Sequence, residues 1–390
     1  MDLILAIALG VFSSWLIAKA CDGFETAADY LGRNMEEGTK GATINAVGSS
    51  MPELFVTFIY LFLFSNTTGF AGGIGTTAGS AVFNAMVIPG MVILFVLWRN
   101  KNTTIQVSRN VIIRDGLTLL TAELFLIFFL GETLSWYHGL FLMMIYISYG
   151  GWMIYRHKKN RGNSVKEESG DDEDDDDDDD DEDDDDDSAP RSIFLSLLKV
   201  DLENVIIRGE TLCNKNATIL LGLSTLYIAL ACWILVYSCE IIGHSLGIHG
   251  YFVAVIIAAA ASSVPDTILS IKDAGKGNYD DAVANALGSN IFDICFALGA
   301  PLFLYTIIYG SITIPAETST HIMELRVLLF LLTLVTFIIF LCSKKLTKST
   351  AYVLIGMYLG FVSYVAARAA EIPFAGVIAE NLLAIQALLR

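Results

Sequence analysis

Long apolar runs of similar length, separated by short polar segments, dominate this chain of 390 residues. A helix needs about 20 apolar residues to cross a hydrocarbon core about 30 Å thick. Ten runs reach that length, at residues 3–30, 41–64, 74–98, 112–131, 136–155, 217–245, 251–271, 281–308, 324–342 and 351–369. In lipid the backbone must satisfy its own hydrogen bonds, so runs of this length predict helices. The pattern predicts an all-α polytopic membrane protein of about ten transmembrane helices. The first and sixth runs carry polar residues near one end and read as long, tilted helices. The N-terminus lacks a basic leader region and a clear cleavage site, and reads as a retained helix. The tail 374–390 is apolar but contains Glu380, and fits either the membrane surface or the bundle.

The polar connections sort by charge. One set holds Arg33, Lys40, Arg99, Lys101, Arg109, Arg156, Lys158, Lys159, Arg161, Lys272, Lys276, Lys344, Lys345 and Lys348. The other set, at 65–73, 132–135, 246–250 and 309–323, contains no Lys or Arg. The excess of Lys and Arg on one side places that side in the cytosol and the N-terminus outside. Asn66-Thr67-Thr68 is a glycosylation sequon on the outer side.

Composition agrees with the pattern. Hydrophobic residues make up 54% and charged residues 17%, with a mean hydropathy of +0.58. Globular chains average about 45–50% and about 25%. The net charge of −18 has a local origin, because residues 171–187 are 17 consecutive Asp or Glu. Without them 25 acidic residues face 24 basic ones, a net of −1. No basic surface suggests nucleic-acid binding. An uninterrupted acidic run reads as a disordered cytosolic loop. The cysteines (Cys21, Cys213, Cys232, Cys239, Cys295 and Cys342) form no CxxC pair and read as buried free thiols. No nucleotide-binding, hydrolase or zinc-protease motif is present, so no enzyme and no cofactor is expected.

The chain repeats itself. Gly48-Ser49-Ser50-Met51-Pro52-Glu53 in the second run matches Ala261-Ser262-Ser263-Val264-Pro265-Asp266 in the seventh. Gly79-Ser80-Ala81-Val82-Phe83-Asn84 matches Gly288-Ser289-Asn290-Ile291-Phe292-Asp293. Glu53 and Ser80 are 27 residues apart, Asp266 and Ser289 23. Each half then holds five spans: 1–155 and 216–390, joined by the loop 156–215. An odd number of spans inverts the second copy. Inverted repeats with a midplane site are a recurring plan of secondary transporters.

Glu53, Asp266 and Asp293 lie well inside apolar runs. A carboxylate at the bilayer centre costs about 2.5–3.5 kcal/mol on insertion scales. No Lys or Arg lies in the same stretches, so a cation from solution is the expected partner. Ser49, Ser50 and Glu53 share a helix face, as do Ser262, Ser263 and Asp266; Ser80 with Asn84 and Ser289 with Asp293 are i, i+4 pairs. Pro52 and Pro265 free carbonyls one turn earlier, near Gly48 and Ala261. Oxygen ligands without nitrogen or thiolate suit hard cations such as Ca²⁺ and Na⁺. Packing alone would explain an isolated Ser49 or Ser80, but not carboxylates recurring on the same motif in both halves.

These motifs resemble the α-repeats of the cation/calcium exchanger superfamily, most closely those of the potassium-dependent sodium/calcium exchangers. The resemblance is specific over 41–90 and 251–301. It implies overlapping Na⁺ and Ca²⁺ sites with Glu53 and Asp266 as central Ca²⁺ ligands. Ser49, Ser50, Ser262 and Ser263 would supply hydroxyls, and backbone oxygens around Ala46 and Ala259 would serve Na⁺. Ser80, Asn84, Ser289 and Asp293 would complete the shell. An Asp at position 293 and an acidic cytosolic run imply that K⁺ moves with Ca²⁺, in the plasma membrane. Ala261 and Met51 depart from the common motif. The same architecture also serves Ca²⁺/H⁺ exchange, and a cation channel is the reading from another class.

Overall fold

A computed structural model describes residues 2–31, 33, 46–64, 69–99, 105–129, 131–167, 200–207, 211–343 and 345–389. The acidic run and the sequon at 66–68 lie outside the described residues. The first half contains α1 (Asp2–Leu31), α2 (Ala46–Ser49), α3 (Met51–Phe62), α4 (Gly69–Arg99), α5 (Arg109–Phe129) and α6 (Trp136–Glu167). A short helix, α7 (Leu202–Ile206), precedes the second half. There follow α8 (Asn214–Leu246), α9 (Gly250–Val253), α10 (Ala259–Ser262), α11 (Val264–Gly275) and α12 (Tyr279–Phe292). The chain ends with α13 (Gly299–Tyr309), α14 (Ala316–Cys342), α15 (Lys348–Ala369) and α16 (Pro373–Leu389). Single π-helical turns join α9 to α10 at Ala254–Ala258 and lie between α12 and α13 at Asp293–Ala297.

The described parts of all ten predicted spans are helical, with corrected ends; residues 41–45 of the second and 130 of the fourth lie outside the described residues. Among the described residues, seven helical stretches are long and apolar enough to cross a membrane by themselves. The second span is two short helices because Pro52 breaks it. The fourth, α5, carries Arg114, Asp115 and Glu123. The ninth begins at Ala316 rather than 324, and its early turns hold Glu317, Glu324 and Arg326. Glu317 is exposed. Glu324 accepts from Arg368 at 2.9 and 3.0 Å, and Arg326 donates to the Leu126 carbonyl at 3.3 Å, which makes the two buried charges compatible with an apolar setting. The tail is α16, whose buried Ala375, Ala379, Leu382 and Gln386 form one face packed on α14 and α15.

The halves pair as an inverted repeat. α1 lies antiparallel to α8: Gly10 faces Ser238, and Gly23 faces Ser224. A Cβ at either glycine would come within 2.9 Å of the opposing hydroxyl, so the small residues set the spacing. Ser238 also donates to the Ala6 carbonyl at 2.8 Å. At one end, β1 (Thr133–Leu134, between the fourth and fifth spans) pairs antiparallel with β2 (Ile312–Thr313, between the eighth and ninth). At the other end, Ile105 (between the third and fourth spans) bridges Leu346 (between the ninth and tenth). Exchanging the halves turns the first pairing into the second. Among the described residues, the basic connections at Arg33, Arg99, Arg109, Lys272, Lys276, Lys345 and Lys348 belong to the Ile105–Leu346 end, where the Ser108 N–H donates to Asp280 and Arg33 donates to Asn214 at 3.2 Å.

Candidate cation site

The two proline motifs break their helices alike. Pro cannot donate a backbone hydrogen bond, and its ring clashes with the carbonyl four residues back. The chain therefore leaves the α conformation at Ser50 (φ −95°, ψ 7°) and at Ser263 (φ −82°, ψ 4°), then restarts as α3 and α11. Ser49 donates to the Ala46 carbonyl at 3.4 Å, and Ser262 to the Ala259 carbonyl at 3.2 Å. The glycines of the second motifs close the halves on one another. A Cβ at Gly79 would lie 2.7 Å from the Ala259 Cβ, and one at Gly288 3.8 Å from the Ala46 Cβ. Each second motif thus packs on the turn preceding the other half's serines.

This crossing brings the predicted side chains together. Glu53, Asp266, Asp293, Ser50, Ser80, Asn84, Ser262, Ser263 and Ser289 have no exposed surface, and Ser49 retains only 6%. Ser80 Oγ reaches Glu53 Oε1 at 3.1 Å, mirrored by Ser289 Oγ and Asp266 Oδ1 at 2.7 Å. Contacts across the halves follow: Ser80 to Ser263 at 2.8 Å, Ser263 to Glu53 at 3.5 Å, Ser80 to Asp293 at 3.1 Å and Asn84 to Asp266 at 3.1 Å. Ser49 interacts with Asp266 and Ser262 with Glu53, again exchanged by the pseudo-twofold. Among the described residues no Lys, Arg or His forms an ion pair with the three carboxylates.

Protons are too few for this arrangement. Ser80 has one hydroxyl hydrogen, yet its oxygen lies within 3.1 Å of Glu53, Asp293 and Ser263. Asp266 is better served, with donors from Ser289 and Asn84. Glu53 Oε2 and Asn84 Oδ1 have no hydrogen-bond partner, and Asp293 Oδ1 has none within hydrogen-bond geometry although Ser50 interacts with its carboxylate. Buried acceptors without donors are expensive, and cations would satisfy them. No three acids cluster tightly around one point among the described residues. Hydroxyls stand between the carboxylates, an arrangement suited to several hard cations side by side.

The sequence pattern did not reveal every participant. Asn290 donates to the Ala81 carbonyl at 2.9 Å, which ties α12 to α4 at equivalent positions of the two motifs. Cys232 of α8 contacts the Pro52 carbonyl at 3.6 Å. Glu123, 1% exposed and away from the repeats, accepts from Thr333 at 2.8 Å. Its position inside the fourth run was the available signal.

The sequence model for the family described as "Sodium/calcium exchanger protein" matches residues 5–155 and 216–367. Sodium/potassium/calcium exchanger 2 of Rattus norvegicus is 32% identical over 139 residues, 36% of this chain and 21% of that protein. Sodium/potassium/calcium exchanger 1 of Gallus gallus is 36% identical over 140 residues, with the same coverage. The chain thus aligns with about a fifth of the length of these relatives. Among solved structures, the sodium-calcium exchanger NCX_Mj superposes with a TM-score of 0.55 at 20% identity, covering 93% of this chain and 98% of that one. The H⁺/Ca²⁺ exchanger CAX gives a TM-score of 0.55 at 13% identity, over 98% and 91%. At these identities the likeness is one of fold. With more than half of its residues matched in two segments, the chain belongs to the sodium/calcium exchanger protein family.

Proposed function

We propose that this protein is a secondary active antiporter that exchanges Ca²⁺, accompanied by K⁺, against Na⁺ by alternating access at the site between its halves. The observation that carries the reading is the set of three fully buried carboxylates, matched by hydroxyls from both halves and by no basic side chain. Glu53 and Asp266 are the central Ca²⁺ ligands, with Ser49, Ser50, Ser80, Asn84, Ser262, Ser263, Ser289 and the Ala46 and Ala259 carbonyls around them. Asp293 supplies the extra charge that admits K⁺. The units are 1–155 and 216–390, linked by 156–215, in the plasma membrane with the N-terminus outside and the basic end cytosolic.

Charge explains the coupling. Three carboxylates are neutralised by Na⁺ ions, or by one Ca²⁺ and one monovalent cation. Either load lets the site shed water and face the other side. An empty site leaves unpaired carboxylates in a low-dielectric setting, which penalises switching without cargo. Helices rocking around a fixed site would supply the motion. The protein acts as a transporter and not as an enzyme; the ions are cargo, and no cofactor is needed.

Purified protein in vesicles, with Na⁺, K⁺ and H⁺ gradients varied independently, tests the reading. Na⁺-driven ⁴⁵Ca²⁺ uptake at clamped pH, raised by K⁺, is expected. Uptake driven only by a pH gradient would assign Ca²⁺/H⁺ exchange instead, and unitary currents would assign a channel.

A further inference from the structure

The two faces of the bundle are unequal. At the basic end a cleft of about 1370 Å³ is lined by Asp22, Glu25 and Asp29 of α1, Asp201 and Glu203 beside or within α7, and Lys272 of α11. Glu25 also lines a narrow cavity of about 20 Å³ that continues inward past Cys21 and Phe24 to Gly48, Ser49 and Pro265. That volume holds about one water. Glu25 is the lining residue shared by the wide cleft and this narrow cavity, and Ser49 is the site residue that the narrow cavity reaches. At the opposite end a cavity of about 340 Å³, lined by Glu240, His244 and His249, stops at Tyr60. The Tyr60 ring seats on Gly72, where a Cβ would lie 2.6 Å from it, two helical turns short of Glu53.

Lys272 stands at the throat of the basic end. Its Nζ lies 3.5 Å from Asp22 Oδ1 and 3.7 Å from Glu25 Oε2. Lys19 also pairs with Asp22, at 3.3 Å, but both belong to α1. Lys272 instead joins α1 to α11, the helix that carries Asp266 six residues earlier. Its counterpart in the first half, at the same offset from Glu53, is the buried apolar Ile59. The pair is therefore confined to one face. Half-exposed ion pairs of this kind are weak and exchange with ions in solution.

We propose that Lys272 is a tethered cation at the cytosolic mouth: it occupies the Asp22–Glu25 pair, holds α1 against α11, and must be displaced by each cation passing Glu25 to reach Ser49. A divalent ion competes for two carboxylates better than a monovalent one, so the throat favours Ca²⁺ over background cations. The inference rests on the antiporter reading above.

The test compares Lys272→Gln and Lys272→Arg with the unaltered protein in vesicles of defined orientation. Lys272→Gln should lower the half-saturating Ca²⁺ at the cytosolic face by about two- to fivefold and leave the other face unchanged. Lys272→Arg should match the unaltered protein, and Glu25→Gln should raise the cytosolic value. A charged, impermeant thiol reagent added from the cytosolic side should modify Cys21 faster in Lys272→Gln, read peptide by peptide. Equal shifts at both faces, no shift at either, or Lys272→Arg behaving as Lys272→Gln would each overturn the proposal. If the unaltered protein carries no Na⁺-coupled Ca²⁺ flux, the antiporter reading fails. Cys21 labelling then decides the throat alone: faster modification retains it, and an unchanged rate removes it.

Discussion

The two arms of the cation site use the same elements in the same order and reach different electrostatic ends. In each arm a serine donates toward the motif carboxylate, Ser80 to Glu53 and Ser289 to Asp266. In each, the helix breaks at the second serine and restarts on a proline. They diverge a turn later. The first half has Asn84 on an uninterrupted α4, and its amide donates to Asp266 across the interface. The second half has Asp293, where the helix widens into a π turn, a feature frequent at functional sites. Asp293 brings charge where Asn84 brings hydrogens. Asp266 has donors at 2.7 and 3.1 Å from Ser289 and Asn84, while Glu53 and Asp293 compete for the single hydrogen of Ser80, with Ser263 farther off at 3.5 Å from Glu53. The departure from exact repetition has concentrated the unmet negative charge on one side of a nearly symmetric site. The need for cations is greatest there.

Removing a central carboxylate should have the largest effect. Breaking a buried charge pair by deleting one member costs about 3–5 kcal/mol, a hundredfold or more. Glu53→Gln and Asp266→Asn should each abolish ⁴⁵Ca²⁺ flux while the protein still folds and elutes as a single species. Near-normal flux from either would falsify the site. The next effect concerns the position where the arms differ. Asp293→Asn makes the arms alike and should remove the K⁺ requirement, leaving slower Na⁺-driven uptake. Asn84→Asp makes them alike in the other sense. It replaces a donor to a carboxylate with a fourth acid, and loss of such a bond, about 1.5–3 kcal/mol, predicts a drop of about tenfold or more. If K⁺ dependence survives Asp293→Asn, the charge asymmetry is not what K⁺ reads.

Packing offers a third contrast. Gly79 and Gly288 open the same motif, yet a Cβ at Gly79 would lie 2.1 Å from the Val255 carbonyl oxygen, whereas at Gly288 its nearest neighbour would be 3.8 Å away. The first distance demands backbone movement, and the second is ordinary contact. Overpacking costs about 1–3 kcal/mol. Gly79→Ala should lower the thermal unfolding midpoint in detergent and cut flux, and Gly288→Ala should change neither. Equal behaviour would mean that the halves do not close on Ala259 and Ala46 as described.

Much of this was legible in the sequence because each signal was local. The spans announce themselves by apolar length. The breaks at Ser50 and Ser263 follow from Pro52 and Pro265 and from nothing distant. The repeated carboxylates identify their own neighbourhood, since they occur without basic neighbours. What escaped depends on pairing across the chain. The polar start of α14 reads as a loop until Glu324 is seen bonded to Arg368 of α15. The pairing of β1 with β2, and of Ile105 with Leu346, joins segments far apart in sequence and has no compositional mark. The apolar tail could be placed only once α14 and α15 offered a surface for Ala375 and Ala379.

The smallest predicted effect tests the symmetry itself. Ser49 and Ser262 occupy equivalent turns, donate to equivalent carbonyls at 3.4 and 3.2 Å, and interact with the carboxylate of the opposite arm. Replacing either with Ala removes one hydroxyl from the cation shell and one modest hydrogen bond, worth about 1 kcal/mol or about a fivefold change in apparent affinity. Where Asn84 and Asp293 predict different outcomes, Ser49 and Ser262 predict matching ones. Ser49→Ala and Ser262→Ala should raise the half-saturating Na⁺ by similar factors, because each borders a carbonyl assigned to Na⁺ rather than the central Ca²⁺ position. Half-saturating Ca²⁺ should move less. A large shift from one serine and none from the other would locate a second functional asymmetry, where backbone and side-chain geometry are most alike, and its origin would have to lie in access to the two faces, since Ser49 borders the narrow cavity beside Glu25.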